Sequence, residues 1–596
     1  MCGIAGFVDK KGQCSDEEKR KIGEAMLARI KHRGPDGSGI SLETWGCMVH
    51  ARLSVMDLSD RAAQPMWDAT RSFAISFNGE IYNHNDFKTE LTSLYTFHTH
   101  SDTESLLYAY ATWGEACLTR VKGMFSFSLY NRNEATLFLA IDRFGIKPLY
   151  YIDTEEYFAW SSEIKAFESI PNFSFQMNEE RVCEFLMFRS LAGPETLFTD
   201  IKKLLPGQKL TFDLNTLKYD VLEYWSLHEQ SVQGAHDNPV GHIYELLKES
   251  TKEHLLSDVT LGTQLSGGVD SSVITALVEE TSDTPGLQTF SIGLSDPAWN
   301  EFPYSDSVAR QLGTKHHTLL FSEEEFCREL PRATFYYDEP IHHSHSIPMM
   351  LLSRFAKKEV TVLLSGEGAD EIFGGYRRYS NFVDRKNSSE EDFLLSNVLV
   401  GFETVSRIVK GKREPDLSAR SNILNKSKHK SPLYRLGHYD LYSYLPSLLL
   451  RQDKMGMSVG LENRVPFLDH ELVVAAMSLD DSQKIKEGRS KYLLKTIAER
   501  YFAKDFVDRK KVGFGQPIAE WLRNESGLGA YLSYFTSPIL EREFLDYGTI
   551  TTLIDEHVSA RADHSLILWN LITLEVWMQI FIDHTPIEEI WEKAKE

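Results

Sequence analysis

Val259-Thr260-Leu261-Gly262-Thr263-Gln264-Leu265, followed by Ser266-Gly267-Gly268-Val269-Asp270-Ser271-Ser272, is the stretch that decides the fold of the larger half of this chain. A short apolar run of β type ends in a glycine turn, and the turn opens into a helical pattern. Glycines let a backbone close around an anion, and the free N–H groups of a helix's first turn favour negative charge there. No Gly-Lys-Ser/Thr follows, so this is not a P-loop. Further short apolar runs, Thr289 to Ile292 and Thr361 to Leu364, alternate with helical segments, which predicts a parallel α/β sheet. The last of these runs leads into a second glycine- and carboxylate-rich stretch, Ser365-Gly366-Glu367-Gly368-Ala369-Asp370-Glu371-Ile372-Phe373-Gly374-Gly375-Tyr376. The last ~150 residues read as mainly helical.

The N-terminal part has a different pattern. Phe73 to Phe77, Phe125 to Tyr130, Leu137 to Ile141 and Tyr157 to Trp160 are aromatic and β-branched runs bounded by Asn, Gly and Asp. Helical stretches intervene at Asp16 to Lys31 and Thr103 to Thr112. Leu205-Pro206-Gly207 marks a turn and Ser231 to Pro239 a linker, which predicts one domain over 1–215 and a second over 236–596.

Cys2 stands directly after the initiator methionine in Met1-Cys2-Gly3-Ile4-Ala5-Gly6. With Met1 removed it carries a thiol and a free α-amine on one carbon, so nucleophile and general base come from a single residue. Taken alone, a cysteine at this position is as readily inert. Asn78-Gly79 alone reads equally well as a hairpin turn, and a lone Arg52 as a surface charge.

Jointly these residues mean more. After Cys-Gly-Ile the chain presents, in order, His32-Arg33-Gly34-Pro35-Asp36-Gly37, His50-Ala51-Arg52-Leu53-Ser54-Val55, Asn78-Gly79-Glu80-Ile81-Tyr82-Asn83 and Ser101-Asp102-Thr103-Glu104. The set resembles the class II, N-terminal-nucleophile glutamine amidotransferases. The resemblance implies an Ntn-hydrolase-type αββα sandwich in which Cys2 attacks a carboxamide, with the Asn78 side-chain amide and the Gly79 N–H as oxyanion donors. Glutamine would be bound by Arg52, Leu53, Val55, Asn78, Glu80 and Asp102. Arg52 suits the α-carboxylate, and the two acids suit the α-ammonium.

The Ser266–Ser272 loop is similar to the pyrophosphate loop of N-type ATP pyrophosphatases, which split ATP between its α- and β-phosphates. That implies ATP as a substrate, bound by Leu265, Ser266, Gly267, Gly268, Asp270, Ser271, Ile292, Ser365 and Gly366. It also implies Mg²⁺ on Asp270 and Asp370, Glu367 close to the acceptor carboxylate, and Lys491 against the phosphates.

Downstream, Leu461-Glu462-Asn463-Arg464-Val465-Pro466-Phe467-Leu468-Asp469, Lys491-Tyr492-Leu493-Leu494-Lys495 and Lys510-Lys511-Val512-Gly513-Phe514-Gly515-Gln516-Pro517 resemble the C-terminal half of glutamine-hydrolysing asparagine synthetases. Over nearly the whole chain, the likeness implies two sites joined by an internal ammonia channel. It also implies an acyl-adenylate intermediate, and a homodimer as the assembly common among relatives. Aspartate is the favoured small carboxylate acceptor, with Asp338 to Ser346 and with Arg377 and Arg378 offering charges for it. A uronic acid or a secondary-metabolite carboxylate is the alternative.

Composition bounds the rest. The chain has 596 residues, a net charge of −22 and 42% hydrophobic residues, which fits a globular protein and argues against nucleic-acid binding. Six cysteines (2, 14, 47, 117, 183 and 327) are scattered without a CxxC, which fits reduced thiols. No leader or membrane-length apolar run is visible, so the expectation is a cytoplasmic enzyme with no membrane partner. The basic segment Arg407 to Lys430 reads as a solvated surface loop. The His342, His343, His345 cluster lacks zinc-type ligand spacing.

Overall fold

The computed structural model describes residues 2–231, 237–282, 286–296, 299–383, 388–411, 414–509, 515–537 and 541–595. Met1, most of the linker at 232–236, Lys412, Arg413 and the Lys510 to Phe514 motif lie outside the described residues.

Two antiparallel six-stranded sheets form the N-terminal half. In the first, Gly3–Asp9 runs between Tyr157–Ser161 and Gly46–Arg52, with Ala5 opposite both Ser161 and Val49. In the second, Phe73–Ile81 pairs with Gly123–Asn131, which pairs with Thr136–Ile141. Gln208–Asp213 and Lys218–Glu223 continue that sheet. Alternating residues of both sheets meet in one apolar layer that includes Ile4, Met48, Leu139, Phe158, Trp160 and Phe212. On the outer face of the first sheet packs the helix Asp16–Ile30, started by a capping box between Ser15 and Glu18. On the outer face of the second lies the helix Asp102–Trp113, N-capped by Ser101. The layers are therefore helix, sheet, sheet, helix, as the resemblance to the N-terminal-nucleophile amidotransferases implies.

A five-stranded parallel sheet forms the core of the C-terminal half, in the order Lys315–Phe321, Gln288–Leu294, Leu261–Gln264, Val362–Leu364, Glu462–Arg464. The chain order reverses between Leu261–Gln264 and Val362–Leu364, and open parallel sheets bind ligands in the crevice outside such a switch point. Both predicted loops, Ser266–Ser272 and Ser365–Tyr376, leave the sheet there. Helices complete this half; the longest, Ser565–Phe581, is buried almost throughout. No helix among the described residues is long and apolar enough to cross a membrane.

The 407–430 segment differs from its reading as a solvated loop. Residues Ser418–Lys426 form a helix, and Arg420 is fully buried, with its Nε 2.7 Å from Glu184. Charge density alone could not reveal that one of these cations docks on a buried carboxylate of the other half.

Candidate functional site

A cavity of about 400 Å³ opens at the switch point. Leu265, Ser266, Gly268, Asp270, Ser271, Ile292, Ser365, Gly366, Glu367 and Asp370 line it, so nearly all of the nucleotide residues expected from sequence converge. Gly267 is the exception. Its φ of +77° bends the loop, a Cβ there would come within 2.7 Å of the Ser305 nitrogen, and its carbonyl accepts from Arg509 at 2.8 Å. The helix Val269–Thr281 starts at Gly268 with no side-chain cap among the described residues, which leaves first-turn N–H groups beside the cavity.

Lys491 joins the two loops. Its Nζ is 2.7 Å from Asp270 Oδ2 and 2.7 Å from Asp370 Oδ1. Burial works against that ammonium, but the two carboxylates outweigh it and hold it well above its usual range. The crossing is tight: a Cβ on Gly375 would fall 1.8 Å from Asp370 Oδ1 and 2.1 Å from Lys491 Cε.

Two cavity-lining carboxylates on neighbouring loops, bridged by Lys491 beside an anion-binding helix start, are hard oxygen donors that fit Mg²⁺ held partly by substrate phosphates. They do not make an all-protein cage, and no cluster of three or more His, Cys, Asp or Glu suited to a metal occurs among the described residues.

Sequence reasoning missed Arg451 and Gln452. Arg451 Nη2 lies 2.6 Å from Glu367 Oε2, and Gln452 Nε2 donates to the same oxygen at 3.1 Å. Both sit in the helix Leu445–Met457, whose pattern reads simply as buried helix, so local sequence carries no signal for them. Arg378, expected near an acceptor, instead pairs with Asp440 and stacks on Tyr376 at 4.3 Å. Asp338 is likewise withdrawn into the junction of the halves, where it pairs with Lys165 at 2.7 Å and with Lys454. Of the histidines, His345 lines the cavity while His342 and His343 are buried.

In the N-terminal half, Cys2 is buried, and burial pushes its thiol up. Its backbone N–H donates to Asn78 Oδ1 at 3.0 Å, and its Sγ lies 3.8 Å from the Leu53 carbonyl. Asn78 Nδ2 is directed at Ser126 Oγ, 3.3 Å away. Asn78-Gly79 is not a hairpin turn but lies inside the strand Phe73–Ile81, opposite Ser126 and Phe125. Arg52 donates to the carbonyls of Ser59, at 2.9 Å, and Asp57, so it braces the loop that carries the buried Leu53 and Val55. Asp102 accepts the Ile81 N–H at 2.9 Å, and burial pushes its carboxyl up to about 6. Glu80 is also held well above the usual range, by burial and then by Asp102, against the pull of Arg464.

Arg33 is a second omission. Its Nε donates to the Cys2 carbonyl at 3.0 Å, Nη1 reaches Glu163 at 3.0 Å, and Nη2 reaches Asp453 of the C-terminal half at 2.9 Å. His32-Arg33-Gly34-Pro35-Asp36-Gly37 marks it in sequence, though not its reach across the junction.

A thiol-bearing double sheet packed on a parallel sheet with a nucleotide-type cavity defines a glutamine amidotransferase fused to an ATP-using ligase. The same division emerges from comparison: residues 1–225 match the glutamine amidotransferase domain and residues 242–579 match asparagine synthase. Asparagine synthetase [glutamine-hydrolyzing] 1 of Bacillus subtilis is 30% identical, covering 100% of this chain and 99% of its own length. The synthetase numbered 3 of the same organism is 30% identical, over 88% of this chain and 89% of its own. Asparagine synthetase B of Escherichia coli is 28% identical, over 88% and 83%. The chain belongs to the asparagine synthase family, and it is a glutamine-dependent amide-forming ligase.

Proposed function

We propose that the enzyme converts L-aspartate to L-asparagine, splitting ATP into AMP and pyrophosphate and taking nitrogen from glutamine hydrolysed at Cys2. The observation that carries this is the meeting of Asp270, Asp370 and Lys491 beside the uncapped start of the helix Val269–Thr281. Such a set suits a polyphosphate: the helix N-terminus and the ammonium attract it, and the carboxylates serve the cation it brings. When bound there by Asp270 and Asp370, Mg²⁺ would neutralise phosphate charge. Leu265, Ile292 and Gly366, which line the cavity, would face adenine and ribose, and Ser266, Gly268, Ser271 and Ser365 would supply hydrogen bonds to phosphate.

Glu367 lines the same cavity, paired with Arg451 at 2.6 Å, and would meet the acceptor carboxylate as it approaches the α-phosphorus. Attack by that carboxylate would expel pyrophosphate and leave an acyl adenylate, and ammonia would then displace AMP. In the other half, the α-amine of Cys2 freed of Met1 would take the thiol proton. The Asn78 amide and the Gly79 N–H would receive the oxyanion, and Arg52, Glu80 and Asp102 would fix the charged end of glutamine.

Phosphorus NMR of turnover with ATP and glutamine, comparing aspartate, glutamate, a uronic acid and no acceptor, tests the proposal. AMP and pyrophosphate formed in step with aspartate are expected. Aspartate no better than the blank overturns the acceptor, and stoichiometric ADP with phosphate overturns the reading of the Ser266–Ser272 loop.

A further inference from the structure

A second cavity, of about 70 Å³, lies between the two halves, with Tyr150, Lys203 and Leu204 on one side and Glu339, His342 and Leu450 on the other. It shares no lining residue with the nucleotide cavity, and none of the expected glutamine-site residues lines it.

Among the described residues, two of its acceptors lack donors. Glu339 is only 4% exposed, yet no hydrogen bond or ion pair holds its carboxylate among the described residues. Burial pushes that carboxyl up, against the pull of Lys203 and Lys454. A carboxylate left so is costly unless something else satisfies it. His342 supplies the second. Tyr337 donates its one hydroxyl proton to the Ser447 carbonyl at 3.0 Å, so His342 Nδ1, 2.9 Å from that hydroxyl, must be the protonated nitrogen that donates to it. That fixes the tautomer and leaves Nε2 an unprotonated acceptor. Lys203 adds the opposite sign; its Nζ donates to the Leu191 carbonyl at 3.1 Å, which leaves two N–H groups to offer. The remaining walls are mostly apolar, among them Leu149, Leu191 and Pro446.

We propose that this cavity binds a small zwitterion of the short-chain α-amino acid class, its ammonium on Glu339 and His342 Nε2 and its carboxylate on Lys203. The volume suits it, being room for about five to seven water-sized spheres, the bulk of a molecule of about six heavy atoms. Glu367, Asp270 and Asp370 line the other cavity and not this one, so an amino acid held here is separate from the nucleotide-facing carboxylates. The site has a path to the synthetase chemistry, because Leu450 on its wall is followed in the same helix by Arg451, which grips Glu367.

Calorimetric titration of the full chain with L-alanine, ethylamine and propionate tests this. L-alanine is expected to bind at one site, ethylamine at least tenfold more weakly, and propionate not at all. Glu339→Gln should weaken L-alanine by about tenfold or more through loss of a charge-assisted bond. Leu450→Phe, which fills the cavity without touching a charge, should abolish binding and serves if the first variant folds poorly. Absence of L-alanine binding, or binding that neither substitution changes, overturns the proposal; the second result would assign the amino acid to the glutamine or acceptor site.

Discussion

Arg464 and Glu80 meet at 3.2 Å across the junction of the two halves, both buried, 384 residues apart in the chain. Arg464 ends the edge strand of the parallel sheet, and its guanidinium also holds Glu462 at 2.6 Å and the carbonyls of His254 and Leu256, each at 2.7 Å. The other Glu80 oxygen has no hydrogen-bond partner among the described residues. The cation that steadies a carboxylate of the expected glutamine site therefore belongs to the synthetase half.

Arg464→Met should leave Glu80 and Glu462 buried without that cation. Breaking a buried pair from one side costs about 3–5 kcal/mol, so the denaturant midpoint should fall markedly, with glutaminase activity falling alongside. Adding Glu80→Gln should recover part of the stability, because it removes one of the stranded charges. An Arg464→Met enzyme as stable as the parent would refute this account of the junction.

The layers of the fold were legible because periodicity reports burial one segment at a time: Phe125 to Tyr130 alternates, and Val259 to Leu265 runs apolar into a glycine turn. The nucleotide loop was legible for the same local reason, since strand, glycines and helix start are contiguous. Arg451, Arg33 and Arg464 were not legible as site residues, because each acts on a partner distant in sequence (Glu367, Asp453 and Glu80), and no local pattern encodes such a pairing. Arg378 failed in the opposite direction. Its neighbours in sequence suggested an acceptor contact, while Asp440, 62 residues away, claims it.

Cys2→Ala should abolish synthesis from glutamine while leaving synthesis from added ammonium salt within about threefold of the parent, given separate nucleophile and nucleotide sites. Amide formation measured by mass spectrometry with each nitrogen source decides it. Loss of both activities in a folded variant would contradict the two-site division.

Asp270→Asn and Asp370→Asn should each lower synthesis by about a hundredfold or more with either nitrogen source, since each removes a formal charge from the phosphate-facing set. Each also leaves Lys491 with one carboxylate instead of two. Glutamine hydrolysis in the absence of ATP should persist. Parallel loss of basal hydrolysis in a folded variant would mean these carboxylates act through the fold and not through the nucleotide.

His438 gives the protein a built-in sensitivity to acid. Neither ring nitrogen has a hydrogen-bond partner among the described residues, the ring lies among Tyr434 and Tyr442, and burial lowers its pKa to about 3. In the unfolded chain the same imidazole takes a proton near pH 6.5, so between about 6.5 and 3 the unfolded state binds more protons than the native one. Stability from this residue is fully present above that window and is lost as pH falls through it, at about 1.4 kcal/mol per pH unit. Asp102, raised to about 6, works in the opposite direction between its ordinary value and that point, so the test is a difference between two proteins and not the slope of one. His438→Phe keeps a ring in the aromatic cluster and removes the titration. Urea unfolding from pH 6.5 to 4.5 should show the variant losing stability less steeply than the parent, by about 1.4 kcal/mol per pH unit. Parallel curves for the two proteins would mean that His438 finds a proton acceptor in the native state, and the unpartnered geometry would be wrong.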